Sequence, residues 1–107
     1  MSAMSDFLEN SLVDQIFRGQ TAPTTSTLYI GLYTAAPSDT GGGTELSGSG
    51  YARVSVSSSL ANWAGTQSTG STVASSGTGG ATSNNGAITF PEPTSSWGQV
   101  QAFGVFD

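Results

Sequence analysis

The chain has 107 residues, of which 18 are Ser, 14 Thr and 15 Gly; Leu, Ile, Val and Phe together number only 20, at the border where packed cores give way to disorder. Two cations, Arg18 and Arg53, stand against seven carboxylates, a net charge of −5 that is too small to drive disorder by self-repulsion and of the wrong sign for a phosphate backbone. With no His, Cys or Lys, the commonest general base, the thiolate and amine nucleophiles and both soft metal ligands are missing, so a single non-enzymatic domain over residues 1–107 is expected, with no cofactor, no metal and no nucleic-acid partner.

Met1 to Asp14 carries acids and no early Lys or Arg, unlike a secretory signal, with Met4 a second possible start. No apolar run approaches the roughly 20 residues that span a bilayer, and no membrane partner is expected. Leu8, Leu12 and Ile16 recur at helical spacing, with Phe7, Val13 and Phe17 widening the stripe, so an amphipathic helix is predicted over about residues 5–18. Ser5 or Asp6 can cap its start, Glu9 completes a capping box with Asp6, and Gly19 sits where a left-handed C-terminal cap is wanted. Pro23 then biases the residue before it toward extended chain in a Thr/Pro connection.

Thr27 to Thr34 is the clearest strand, with Leu28, Ile30 and Leu32 on one face and Tyr29 and Tyr33 on the other; two apolar faces predict a central position. Ala35 to Gly50 reads as a long surface loop. Tyr51 to Ser59 alternates as a half-buried strand, with Val54 and Val56 opposite Arg53, Ser55 and Ser57. Residues of about 60–85 form a Ser/Gly-rich stretch expected to be a loop, mobile or ordered by a neighbour. Gly86 to Phe90 reads as a short strand ended by Pro91 and Pro93, and Gly98 to Asp107 as a last one, with Val100, Ala102, Gly104 and Phe106 opposite Phe103 and Val105.

A short acidic helix ending in Gly is followed by Leu28-Tyr29-Ile30-Gly31-Leu32, Gly50-Tyr51-Ala52-Arg53-Val54, Asn85-Gly86-Ala87-Ile88-Thr89-Phe90-Pro91, Trp97-Gly98-Gln99-Val100 and Phe103-Gly104-Val105-Phe106-Asp107. In this order the motifs resemble small virion proteins of tailed bacteriophages, often labelled tail-fibre proteins, some of which are trimeric capsid cement (decoration) proteins. The resemblance implies a mainly β fold, an antiparallel β-sandwich with a short N-terminal helix. It further implies a homotrimer on the capsid exterior, assembled in the host bacterial cytoplasm and bound to the major capsid protein. Residues 63–83 are richer in Ser and Gly than the resemblance leads one to expect, and similar proteins commonly run on for one or two strands after Phe-Gly-Val-Phe-Asp, so a naturally short or truncated member with an open strand edge is expected.

Physics points to self-association independently. A chain of this size buries about 65% of its unfolded surface, and so few large side chains barely offset about 1–2 kcal/mol of entropy per ordered residue. With neither disulfide nor metal to compensate, subunit contact is the remaining source of stability.

The residues proposed for partner contact are Phe7, Leu8, Leu12 and Phe17, as a helix-in-groove anchor, and Arg53. The competing expectation for the helix is a lid on its own sheet, and for Arg53 a structural pair with Glu45 or Asp39. Tyr29, Tyr33, Tyr51, Trp63 and Trp97 are either packing residues or a surface for host glycans, the latter suiting a distal tail-fibre or tailspike module. Asp39, Glu45 and Glu92 offer a paired-acid or calcium site only in outline, against the simpler reading as solvated loop charges.

Overall fold

A computed structural model describes residues 4–21 and 25–107; the expected Pro23 connection falls partly outside them. Among the described residues the fold is mainly β, with one helix, α1 (Asp6–Phe17), and four strands, β1 (Thr27–Ala35), β2 (Thr44–Glu45), β3 (Val54–Ser57) and β4 (Ala102–Phe106), in one antiparallel sheet. β1 is central, as its two apolar faces predicted. Leu28 to Ile30 pair with Val56 to Val54 and Tyr33 with Glu45, while Tyr29 to Tyr33 pair with Phe106 to Ala102. Residues of β1 that pair twice have β4 on one side and β2 or β3 on the other, so β2 and β3 lie end to end along one edge and β4 forms the other.

This register gives the sheet two unlike faces. Leu28, Ile30 and Leu32 share one with Val54, Val56, Phe103 and Val105; Tyr29, Gly31 and Tyr33 share the other with Glu45, Gly104 and Phe106. The buried apolar set is Ile30, Tyr33, Leu46 and Ala64, and no large side chain among the described residues is below 2% exposed. The radius of gyration, 15.7 Å, exceeds the value of about 13 Å for a compact chain of this length. So thin a core matches the composition.

Three expectations need correction. The loop over 35–50 is not wholly a surface loop: Ser38 and Gly41 form a tight bridge, Thr44–Glu45 return along β1, and the N–H of buried Leu46 donates to the Leu32 carbonyl at 2.9 Å. Residues 86–90 form no strand; a cleft separates Gly86 to Ile88 from β3, and Phe90 is held by stacking on Tyr51 at 6.4 Å between centroids rather than by a ladder. Residues 60–85 lack strands, as expected, but their own polar side chains tie them together. The Thr82 hydroxyl donates to the Ala64 carbonyl at 2.7 Å, and the Asn85 amide to the Ala61 and Ser71 carbonyls at 3.2 Å each. Small hydroxyl and amide side chains here reinforce a single antiparallel backbone bridge between Trp63 and Asn84.

Candidate interaction site

Two regions concentrate the side chains with chemistry to offer, and they differ in kind. The first is a polar hub on the tyrosine face of the sheet. Arg53 donates to Glu45 through Nε to Oε1 at 2.8 Å and Nη2 to Oε2 at 2.7 Å, the two-pronged geometry that makes guanidinium–carboxylate pairs directional. The Tyr51 hydroxyl donates to the same Oε1 at 2.9 Å and accepts the Leu32 backbone N–H at 2.9 Å, joining the pair to β1. The Arg53 guanidinium lies 3.6 Å from the centroid of the Phe106 ring, which stacks on Tyr33.

Gly31 lies beneath this hub, which closes tightly over it. A Cβ there would stand 2.8 Å from Glu45 Oε1, 3.0 Å from Phe106 Cε2 and 3.1 Å from the Tyr51 hydroxyl. Tyr51 reaches the hub from a turn in which Ser49 adopts a left-handed φ of 51°, its carbonyl accepting both the Thr94 N–H and the Trp97 indole N–H at 2.9 Å. Trp97 then meets the Tyr51 ring edge-on at 5.7 Å between centroids.

The charges follow from these contacts. The Arg53 hydrogen bonds hold Glu45 below its ordinary carboxyl value, against partial desolvation, with Tyr51 assisting. Desolvation raises the Tyr51 phenol, the Leu32 N–H opposes that rise, and Glu45 adds to it. The Glu45 bond raises Arg53 further above its usual value. A carboxylate so engaged is a poor acid, base or cation ligand; the hub positions the chain.

The second region is α1. Ser5 caps it by accepting the Leu8 N–H at 3.4 Å, so of the two expected caps Ser5 is the one used, and Gly19 takes a left-handed φ of 65° past its end. The lid expectation fails: among the described residues no strand comes within 8 Å of the helix, Cα to Cα, and a single backbone bond, Asp6 N–H to the Asp39 carbonyl at 3.2 Å, ties it to the loop after β1. The physical reason is in the side chains. At about 100° per residue, Leu8, Leu12 and Ile16 share one stripe, Val13 and Phe17 widen it beyond Ile16, and Phe7 stands on the far side of Leu8. The apolar side chains thus run around most of the helix, and one sheet face can cover only part of them. Phe7, Ile16 and Phe17 are 62%, 67% and 81% exposed.

Between α1 and the sheet lies an open groove of about 640 Å³, whose apolar lining includes Phe7, Leu8, Leu12, Leu28 and Val105. Of the residues proposed for partner contact, Phe7, Leu8 and Leu12 come together on it, Phe17 projects at the far end of the helix, and Arg53 belongs to the hub, paired with Glu45 rather than Asp39. Sequence reasoning missed Val105 and Ile16 as members of the exposed apolar surface, although their places in the strand and helix repeats were visible.

The geometry is that of a thin β body carrying a hydrogen-bonded polar hub and a helix whose apolar side chains are largely exposed. Residues 3–107 match the family model described as podophage GP4 fiber I protein gp80, and the chain belongs to that family. It is therefore a bacteriophage structural protein of the virion, of a fibre family. No curated protein and no solved structure matches it.

Proposed function

We propose that this protein is a non-enzymatic building block of the phage particle, working as a homo-oligomer that fastens to a larger virion surface through α1. The observation that carries this reading is the exposure of Phe7, Ile16 and Phe17 on a helix that covers none of its own strands. Large apolar side chains left exposed along one element mark a docking surface. A lipid surface fits poorly, because Asp6, Glu9 and Asp14 on this helix outnumber the single Arg18 at its end, and anionic headgroups attract basic helices. Helix-in-groove attachment to a virion protein suits it better, and several copies on one oligomer would hold through effective concentration.

Two placements follow. The family's description as a fibre protein supports a tail-associated subunit; the motif resemblance supports a trimeric cement protein on the capsid exterior, bound to the major capsid protein. A distal module that reads host glycans is less well supported, because the rings that would serve it are engaged internally. Trp97 donates its indole N–H to Ser49, the Tyr51 hydroxyl joins the hub and Tyr33 is buried. Quantitative gel analysis of purified particles separates the placements: hundreds of copies support cement, and roughly a dozen a tail part. A chain missing from mature particles would end the reading.

A further inference from the structure

We propose that Asn85 is a site of spontaneous modification, where the side chain cyclises onto the Gly86 backbone and hydrolyses to aspartate or isoaspartate, loosening the stretch over 60–85 irreversibly. The site lies apart from α1 and the hub, and its chemistry needs only water.

Of the four asparagines, Asn10, Asn62, Asn84 and Asn85, only Asn85 precedes a glycine. In the reaction the Gly86 backbone nitrogen attacks Cγ of Asn85. The new N–C bond closes a cyclic imide, the bond from Cγ to Nδ2 breaks, and Nδ2 leaves as ammonia, its third proton replacing the one Gly86 gives up. Water then adds to either imide carbonyl, its hydrogen returning to the nitrogen. Opening at Cγ gives aspartate, and opening at the backbone carbon gives isoaspartate. A side chain on the following residue would crowd the attacking nitrogen; Gly86 has none, is exposed, and stands in open space, since a Cβ built on it would meet nothing within 4 Å. Its N–H finds no acceptor among the described residues, so no ladder holds that nitrogen away from Cγ.

The restraint comes from the Asn85 side chain. Nδ2 donates to the Ala61 and Ser71 carbonyls at 3.2 Å each, so the leaving group is held by two acceptors, neither of which can supply the proton its departure requires. Oδ1 is buried and meets no donor, so the charge that develops on this oxygen during attack finds no stabilisation in the folded chain. Cyclisation therefore proceeds from conformers in which these bonds have opened. The product cannot close them again. Aspartate puts a carboxylate oxygen where Nδ2 faced two carbonyl oxygens, exchanging two hydrogen bonds for repulsion in a part-buried place. Isoaspartate also lengthens the backbone by a methylene between the Asn85–Asn62 bond and the Phe90 ring stack. Little else holds this stretch: Ala64 is its one buried apolar residue among those described, and the Ala64 N–H bond to the Ser83 carbonyl, at 2.8 Å, loosens with it.

The test ages the full chain in mildly alkaline buffer, where the attacking nitrogen sheds its proton more readily, and counts isoaspartate by enzymatic carboxyl methylation with peptide mass mapping to place it. Conversion in the folded chain should fall on Asn85 alone and should run about 100-fold faster in urea, roughly tenfold for each bond to Nδ2 released. Gly86→Ala, for whose methyl group there is room, should suppress conversion and leave far-UV circular dichroism unchanged. Asn85→Asp reproduces one product: by hydrogen exchange the Ala64 amide should lose its protection while the β1 amides keep theirs. Aged wild type, separated from fresh chain by its added negative charge, gives the same comparison should that variant fail to fold. Equal rates in buffer and urea, conversion starting at another asparagine of the folded chain, or an Ala64 amide as protected after conversion as before would each overturn the proposal.

Discussion

The hub and the helix answer the same shortage of apolar side chains in opposite ways. Around Gly31 the chain satisfies itself: one carboxylate takes three hydrogen bonds, one phenol bridges it to a backbone N–H, and one guanidinium covers a phenyl ring. Along α1 the apolar side chains that could have thickened the core face solvent. A protein with so little hydrophobic material has placed part of it where only a neighbour can bury it, and polar geometry holds the sheet in its place.

The largest effect should come from disturbing the self-sufficient region. Gly31→Ala puts a methyl group against Glu45, Phe106 and Tyr51 at distances that require all three to move. Overpacking of this kind costs about 1–3 kcal/mol, and the melting temperature should fall by roughly 4–8 °C for each kcal/mol. A melting curve that superimposes on wild type would show the hub to be loose. Next in size is Tyr51→Phe, which leaves the Leu32 N–H without its acceptor and removes one donor from Glu45. The expected loss is about 1–2 kcal/mol by chemical denaturation, with far-UV circular dichroism unchanged.

Acid gives a smaller and more selective test. Glu45 is held below its ordinary value of 4.5, so its ionised form is bound more tightly by the folded chain than by the unfolded one. Its contribution is therefore complete above 4.5 and disappears as pH falls through the lower folded value. Partial exposure and salt limit its size. Melting temperatures of wild type and Glu45→Gln should converge as pH is lowered below 4.5 and separate again above it. Parallel curves across that range would assign the acid sensitivity to other carboxylates.

The parts of this fold that could be read from sequence are those with a period. β1, β3 and the inner half of the last segment alternate apolar and polar residues, and each became a strand with the expected faces; α1 lies within a residue of its expected ends. β2 escaped because a two-residue strand has no period, and what holds Glu45 in register is Arg53, eight residues away. The pattern of 86–90 was legible but misleading, since a strand also needs a partner edge and Phe90 found an aromatic ring instead. At the candidate site, Arg53 with Glu45 was anticipated from charge scarcity, whereas the Tyr51 bridge and the Arg53–Phe106 stack depend on tertiary approach that spacing does not encode. The helix stripe was read correctly; that it would stand off the sheet was not, because a stripe records what is apolar and says nothing of whose surface covers it.

The smallest effect on the isolated chain, and the sharpest test of the contrast, belongs to Phe17→Ser with Ile16→Ser. Both side chains are largely exposed and neither meets a strand of its own protomer. Surface substitutions without such contacts change stability by about 0.5 kcal/mol or less, so the denaturation midpoint should hardly move. Incorporation into particles, measured by complementing a phage that lacks the protein with the double variant, should nevertheless fall severalfold, because attachment loses the area that burying two large side chains would supply. A pronounced loss of stability would mean that the helix packs on its own protomer in solution, and full incorporation would mean that the sheet, not α1, makes the attachment.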